Sequence, residues 1–218
     1  MCPPTYFAVR YRINPRMRPE CPVDVDRAQA QWEDLRHRLV TLGHEVLTVA
    51  PQPGLRDMVF AANGGIVIGD RALIPRFRHV ERAGESVHFA RALRGLGLCE
   101  VHQASYVNEG EGDFLLVGAR ILGGSGFRSD PRAAKEVADY FGLPVVSLRL
   151  LDSRLYHLDT ALARLDADTV AYWPGAFSPA SQHILRELFP ELRKAGGGAK
   201  CCVLELHPTT EGTRRAAA

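Results

Sequence analysis

The sequence has little excess of charge of either sign and no long apolar run. Its 27 Lys and Arg residues are almost balanced by 25 Asp and Glu residues, which leaves a formal net charge of +2. Because basic and acidic residues are interleaved, the electrostatic footprint of a nucleic-acid-binding surface is missing. No apolar run approaches the length of a membrane span, and proline and arginine stand where a signal peptide has its apolar stretch. We therefore expect a cytoplasmic protein that binds a small molecule, with no nucleic acid or membrane as partner.

Cysteine is also scarce. The five cysteines are an odd number, none falls in a Cys-x-x-Cys pair, and a chain of this size needs no disulfide staples, so we expect reduced thiols. A metal centre built from Cys201, Cys202 and His207 is an alternative. Adjacent cysteines satisfy tetrahedral coordination poorly, however, and no second Cys/His pair has suitable spacing. We therefore predict no metal and no cofactor.

A repeated pattern of apolar segments runs along the chain. The 218 residues are 46% hydrophobic, which is enough for a sizeable core. Apolar runs joined by turn signals predict hairpins, and each hairpin precedes an amphipathic helix and a closing strand. The predicted hairpin, helix and strand are 57–74, 85–96 and 99–102 in one unit and 113–122, 131–141 and 144–148 in the next. A third unit has its hairpin at 159–173 and helix at 179–189. A less regular unit at the start has a strand at 5–11, a helix at 25–42 and a strand at 45–49.

Units of this kind cannot bury their own apolar faces, so they predict a ring or stack around a shared centre. Polar residues gather in three loops at equivalent places in the repeats, and pseudo-symmetry would bring these loops together. The loops contain Asp57 and Asn63, then Glu109, Glu111 and Asp113, and finally His157. Less specific interpretations are a hydrogen-bonded core or surface histidine, a solvated glycine-rich turn and aspartates that bond their own backbone.

A cysteine pair near the end of the chain is the candidate nucleophile. Cys201 and Cys202 lie between a glycine run at 196–198 and an apolar segment at 203–206 that is typical of a short buried strand. A thiol at such a junction can be both reachable and rigidly held. The alternative is a buried structural cysteine beside a flexible turn. With His157 and a carboxylate, Cys201 would form a set suited to covalent catalysis.

Taken together, these stretches resemble the guanidine-modifying enzymes of the pentein fold. That group includes arginine deiminase, dimethylarginine dimethylaminohydrolase, amidinotransferases and arginine dihydrolases. The resemblance covers most of the chain and is carried by five stretches, at residues 57–63, 109–114, 126–130, 156–162 and 200–202. It implies a pentein-type α/β propeller of repeated hairpin, helix and strand units.

The resemblance also implies a reaction and a role for each matched residue. The implied enzyme is a hydrolase that cleaves the guanidino C–N bond of arginine or a methylated arginine, giving ornithine or citrulline plus ammonia or amine. Cys201 would be the nucleophile, His157 the general acid–base and Glu109 the carboxylate. Glu111 is held in reserve, because this acidic loop is one residue longer than the common acid-Gly-Gly-Asp form. The implied substrate-binding residues are Asn14, Asp57, Asn63, Asp113 and Arg128. Arg132 is the alternative to Arg128 for holding a substrate carboxylate, and a solvent-facing role stays open for both.

The chain departs from this pattern before the cysteine pair. With the less regular unit at the start, the segments above make four units. Only ten residues separate Pro190 from Cys201, so we expect the fifth unit to be incomplete. We predict one catalytic domain at residues 1–206, a disordered tail at 207–218 and a possible homo-oligomer whose second copy covers the open ring edge. The alternative function is a catalytically inactive or amidino-transferring relative that binds a guanidino ligand.

Overall fold

A computed structural model describes residues 1–188 of the chain. Its first element is the 17-residue helix α1, Val25–Thr41, which confirms the helix predicted there. The Asp24 side chain caps the helix by accepting a hydrogen bond from the Arg27 backbone N–H at 2.9 Å. Trp32 is the helical residue that is buried, so α1 lies at the edge of the described structure.

Two complete units follow α1, and both have the order predicted from the sequence. In each, the middle strand pairs antiparallel with the strand before it and parallel with the strand after the helix, giving two three-stranded sheets. The first unit contains β1 Ile66–Ile68, β2 Arg71–Ile74, α2 Val80–Ala83, α3 Glu85–Gly95 and β3 Glu100–Gln103. The second contains β4 Phe114–Val117, β5 Arg120–Ser125, α4 Ala133–Phe141 and β6 Val145–Arg149.

A third unit begins in the same way. Its antiparallel hairpin comprises β7 Leu162–Arg164 and β8 Val170–Tyr172, and helix α5 is Pro179–Leu188. The incomplete fifth unit, the ligands of the alternative metal centre and the tail at 207–218 all lie outside the described residues. The boundaries of the catalytic domain and the homo-oligomer stay predictions.

Apolar side chains from neighbouring units fill the space between them. Leu73 of the first sheet packs in one buried cluster with Phe114 and Ile121 of the second. Leu122 and Leu148 of the second unit pack with Leu162 of the third in another. Each such side chain contributes roughly 1.5–3 kcal/mol on full burial. The packing therefore fixes how the units, and the loops between them, face each other.

The predicted strands at 5–11 and 45–49 are wrong. Residues 4–7 form a turn, with the Phe7 N–H bonded to the Pro4 carbonyl at 3.0 Å, and 45–49 has no assigned strand. Backbone pairing here is limited to Met1, whose ammonium group donates to the Leu47 carbonyl and whose carbonyl accepts from the Val49 N–H. The local sequence favours extended backbone, but a strand also needs a neighbour to complete its ladder. Residues 5–11 have no such neighbour within 1–188.

Candidate active site

Three short 3₁₀ turns bring the polar loops together. They span Ala61–Gly64, Gly110–Gly112 and Leu158–Thr160, and each stands just before the hairpin of its unit. The Asn63 side-chain amide donates to the Glu109 carbonyl at 2.9 Å, and His157 Nε2 lies 2.7 Å from Glu109 Oε2. The predicted convergence of the three loops is confirmed.

Glycine allows the middle loop to fit between its neighbours. Gly110 has φ +61°, a left-handed conformation that other residues rarely adopt. A Cβ there would also lie 2.9 Å from the backbone oxygens of Ala62, Asn63 and Gly65. The backbone next to Glu109 can therefore approach the preceding loop only because the residue at 110 has no side chain.

Glu109, His157 and Arg128 form the charged centre of the site. The Glu109 side chain is completely buried, and its Oε2 accepts hydrogen bonds from Arg128 Nη1 at 2.6 Å and from His157 Nε2 at 2.7 Å. Burial acts to raise the pKa of Glu109, but the His157 hydrogen bond and the nearby guanidinium charges outweigh it and lower the pKa to about 2. Glu109 is therefore ionised at neutral pH, and His157 Nε2 must be the donor. The ring is held in one orientation.

Asp113 and Ser129 lie behind this centre. Ser129 Oγ donates to Asp113 Oδ2 at 2.6 Å and accepts from the Glu109 backbone N–H at 3.2 Å. Asp113 Oδ1 accepts from the Leu158 N–H at 3.1 Å. Burial raises the pKa of Asp113 to about 6, against the lowering effects of His157 and the Ser129 hydrogen bond. Both Asp113 oxygens are engaged, and this predicted binding residue does not line the cavity described below.

A second charged group, centred on Arg82, contacts the first of the three loops. Arg82 Nη1 donates to Asn63 Oδ1 at 2.8 Å and Nη2 to the Asp57 carbonyl at 3.3 Å, while Arg82 also pairs with buried Glu85. The Tyr11 hydroxyl donates to Asp57 Oδ2 at 2.9 Å. Burial raises the pKa of Asp57 against the opposing Arg82 charge. The Asn63 amide thus joins the Arg82 group to the Glu109 loop.

Side chains from these groups line a cavity of about 280 Å³, and Glu109 is not itself a lining residue but is bonded to two that are, Arg128 and His157. Five of the predicted site residues line it, namely Asn14, Asp57, Asn63, Arg128 and His157. In residues 1–188, two buried carboxylate oxygens lack a hydrogen-bond partner, and they are Asp57 Oδ1 and Glu109 Oε1. The site therefore has unused acceptor capacity for a cation.

The N-terminal segment closes one side of the cavity. Ile13, Asn14 and Met17 line it, and Arg128 Nη2 donates to the Ile13 carbonyl at 3.1 Å. The Arg128 guanidinium carbon also lies 4.7 Å from the centroid of the Tyr156 ring. Arg128 is buried, so the solvent-facing alternative for this residue is wrong.

Comparison with known proteins identifies related sequences, although no protein-family model matches. The chain is 45% identical to N(G),N(G)-dimethylarginine dimethylaminohydrolase of Mycobacterium tuberculosis, over 95% of this chain and 85% of that protein. It is 38% identical to the bifunctional arginine dihydrolase/ornithine cyclodeaminase AgrE of a Nostoc species, over 89% of this chain and 28% of that protein.

A solved structure agrees with both sequence matches. The N-terminal domain of ArgZ, an arginine dihydrolase from Cyanobacteria, matches with a TM-score of 0.82 and 35% identity, over 88% of this chain and 72% of that one. That structure is a cysteine-to-serine variant bound to substrate, and another ArgZ structure holds a covalently bound reaction intermediate.

This chain belongs to the dimethylarginine dimethylaminohydrolase and arginine dihydrolase family. The family and the pentein-type α/β fold predicted from the sequence are confirmed. The alignment with the mycobacterial hydrolase is 258 positions long, whereas this chain has 218 residues, so part of that hydrolase has no counterpart here.

Two predicted residues of this hydrolase-family site are not part of its described centre. Glu111 is exposed and lines a second cavity with Val67 and Leu93, away from His157. Cys201 lies outside the described residues, so its role stays a prediction. Of the two candidate acids, Glu109 is the one that contacts His157.

Sequence reasoning missed several residues of the site. Arg82 and Glu85 are three residues apart, which is the spacing of an ordinary surface ion pair on a helix, and this spacing gave no sign of their burial. Ser129 and Tyr156 lie within two of the motifs given above, at 126–130 and 156–162, but no role was predicted for them. Their positions next to Arg128 and His157 are the signal that could have identified them.

Proposed function

We propose that this chain hydrolyses the guanidino group of arginine or a methylated arginine through a covalent intermediate on Cys201. The observation that carries the proposal is the pair of unpartnered buried carboxylate oxygens, Asp57 Oδ1 and Glu109 Oε1, beside a histidine-lined cavity. A guanidinium offers five N–H donors in a planar fork and stays protonated at ordinary pH. It can satisfy both oxygens with charge-assisted hydrogen bonds.

The chemistry begins with attack of the Cys201 thiolate on the central guanidino carbon. The bond from that carbon to a terminal nitrogen then breaks, and His157 protonates the nitrogen so that it leaves as ammonia or, from a methylated arginine, as an amine. The product on the enzyme is an S-linked amidino group. Glu109 stabilises the positive charge of His157 while the ring carries the transferable proton.

Water completes the cycle. His157 removes a proton from water, the resulting hydroxide attacks the amidino carbon, and the Cys201 thiolate leaves. The product is the ureido compound citrulline. A second cycle on that ureido carbon releases another ammonia and leaves a carbamate, which decomposes to carbon dioxide and ornithine.

Asn63 favours arginine as the substrate and ornithine as the final product. Its Nδ2 donates to the Glu109 carbonyl and its Oδ1 accepts from Arg82. A carboxylate at this position could make only the second contact, because it has no donor. Many dimethylarginine hydrolases resembling this chain carry a carboxylate there, whereas the dihydrolase branch carries asparagine. Arginine is also the substrate that the AgrE and ArgZ names imply.

A second candidate is a guanidino-binding relative that is inactive or transfers the amidino group to an amine. The segment of the mycobacterial hydrolase that has no counterpart here favours it, because that segment lies within the aligned region. Such a protein would keep Asp57, Asn63 and Glu109 and bind arginine without releasing ammonia.

One product assay separates these functions. Purified protein is incubated with arginine, monomethylarginine and dimethylarginine, and ammonia, alkylamine, citrulline and ornithine are measured. Arginine is expected to give ornithine with two ammonia molecules. The Cys201→Ser variant should be inactive, and Cys202→Ser is the matched control. Arginine binding with no product from any substrate would overturn the hydrolase function, and product formation only with an added amine would indicate transfer.

The cytoplasm is the compartment that we propose. Cys2, Cys21 and Cys99 are free thiols, and Cys2 is buried. A catalytic thiolate and unpaired cysteines are both maintained by a reducing environment. No helix within residues 1–188 is both long enough and apolar enough to cross a lipid bilayer.

A further inference from the structure

Ser129 connects the loops on which the charged centre stands. Ser129 is 3% exposed, and its hydroxyl donates to Asp113 Oδ2 at 2.6 Å and accepts from the Glu109 N–H at 3.2 Å. Asp113 in turn accepts the N–H of Leu158, the residue after His157. One continuous chain of hydrogen bonds therefore runs from the backbone at Glu109 to the backbone beside His157.

The hydroxyl is the group that suits this place. Asp113 is acceptor-only when ionised, and the Glu109 N–H is a donor, so the link between them must donate on one side and accept on the other. Arg128, the preceding residue, bonds the Glu109 carboxylate at 2.6 Å. Arg128 therefore holds the Glu109 carboxylate, and the next residue, Ser129, holds the Glu109 backbone.

We propose that Ser129 is a positioning residue that sets Glu109 at bonding distance from His157. The inference deepens the proposed function and rests on it for its kinetic consequence. Removing the hydroxyl leaves the Glu109 N–H and one Asp113 oxygen unpaired in a buried place, and they can recover partners only if the loops shift. A shift of this kind turns the Glu109 carboxylate away from the ring nitrogen that it orients.

Ser181 offers a matched control. Ser181 is also 3% exposed, and its hydroxyl accepts a hydrogen bond from the Arg149 backbone N–H at 2.8 Å. It lies on α5 and does not line the cavity. Loss of the Ser181 hydroxyl therefore reproduces the general cost of an unpaired buried backbone group without touching the charged centre.

The experiment uses the full chain in five forms: wild type, Ser129→Ala, Ser129→Thr, Ser129→Cys and Ser181→Ala. The first readout is the proton NMR signal of the His157 Nε2–H, which a 2.7 Å bond to a buried carboxylate should shift downfield and protect from exchange. Its disappearance in His157→Gln assigns it. We expect Ser129→Ala and Ser129→Cys to move or abolish the signal, whereas Ser129→Thr and Ser181→Ala retain it.

The second readout is steady-state hydrolysis of arginine. We expect Ser129→Ala to lower kcat by about 10- to 100-fold with little change in KM, because the reacting groups are misplaced while the binding groups remain. Ser129→Thr should restore most of the rate. Retention of both the signal and kcat in Ser129→Ala would overturn the inference, as would equal losses in Ser181→Ala. An inactive wild type would refute the proposed function instead, and the NMR signal would still decide the role of Ser129. Ser129→Cys serves in place of Ser129→Ala if the latter does not fold.

Discussion

Two buried arginine–glutamate pairs adjoin the cavity, which Arg82 and Arg128 both line, and they are used differently. In both, the arginine side chain is 3% exposed and the glutamate side chain is fully buried. Arg82 contacts both oxygens of Glu85, at 2.9 and 2.8 Å. Arg128 contacts a single oxygen of Glu109, which it shares with His157, and the other oxygen has no partner within residues 1–188.

The comparison shows how the same two residue types serve as a brace or as a reactive centre. The Arg82–Glu85 pair is closed, because both carboxylate oxygens are bonded by one guanidinium in fork geometry. The Arg128–Glu109 pair is open, with acceptor capacity left over and a titratable ring attached. Arg82 uses its remaining donors on Asn63 and the Asp57 backbone, so the closed pair holds the wall beside the open one.

Glu109→Gln should break the open pair and have the largest effect on activity. The amide oxygen of glutamine can still accept from Arg128 and His157, but glutamine lacks the charge that stabilises protonated His157. We expect kcat per folded molecule to fall by about 10²–10⁴-fold. The measurement is arginine turnover well below the unfolding midpoint, with the folded fraction determined by circular dichroism. A loss smaller than tenfold would mean that Glu109 does not support the acid–base step.

Glu85→Gln should break the closed pair and act on stability instead. It leaves Arg82 buried without its counter-ion, which typically costs about 3–5 kcal/mol of unfolding free energy. Urea denaturation measures this cost, and kcat per folded molecule should fall by less than Glu109→Gln produces. Equal losses of kcat in the two variants would contradict the assignment of a structural role to Arg82–Glu85 and a catalytic role to Arg128–Glu109.

The unfolding free energy should depend on pH in opposite directions for Asp113 and for Glu109, the carboxylate of the open pair. The folded-state pKa of Asp113 is raised to about 6 from 3.8, so its stabilising contribution is complete below pH 3.8 and is lost as the pH rises through 6. Between pH 4 and 7 the wild type should lose about 2 kcal/mol of unfolding free energy relative to Asp113→Asn.

Glu109 contributes in the opposite direction. Its folded-state pKa is lowered to about 2 from 4.5, so its contribution is present above pH 4.5 and is lost as the pH falls through 2.

Urea unfolding of the wild type and Asp113→Asn at several pH values between 4 and 7 tests whether the raised pKa belongs to Asp113. Parallel stability curves for the two proteins would contradict it.

Arg132→Ala should have the smallest effect, because its ion pair lies at the surface. Arg132 pairs with Asp130 at 2.7 Å, but its side chain is 70% exposed. The change in unfolding free energy should stay within about 0.5 kcal/mol, and kcat should be unchanged. A kinetic loss approaching that of an Arg128 variant would show that burial does not distinguish these two arginines.

Much of the fold could be predicted because its signals are local. The turn at Gly69-Asp70 and the helix end at Gly142 mark the repeats, and equal placement of three polar loops predicts their convergence. The strand at 5–11 failed because a strand depends on a partner that its own sequence does not identify. The sequence could not decide between Arg128 and Arg132 for a similar reason: the two lie in one loop, and tertiary packing buries Arg128 and leaves Arg132 exposed.

The central claim is that Glu109 and His157 support a covalent reaction on Cys201. The most direct measurement is peptide-mapping mass spectrometry after treatment of the full chain with a haloacetamidine, a guanidinium-like electrophile. We predict one adduct, on Cys201, that forms much more slowly in Glu109→Gln and at nearly the wild-type rate in folded Glu85→Gln. No adduct on Cys201, or one that forms equally fast in Glu109→Gln, would contradict the account.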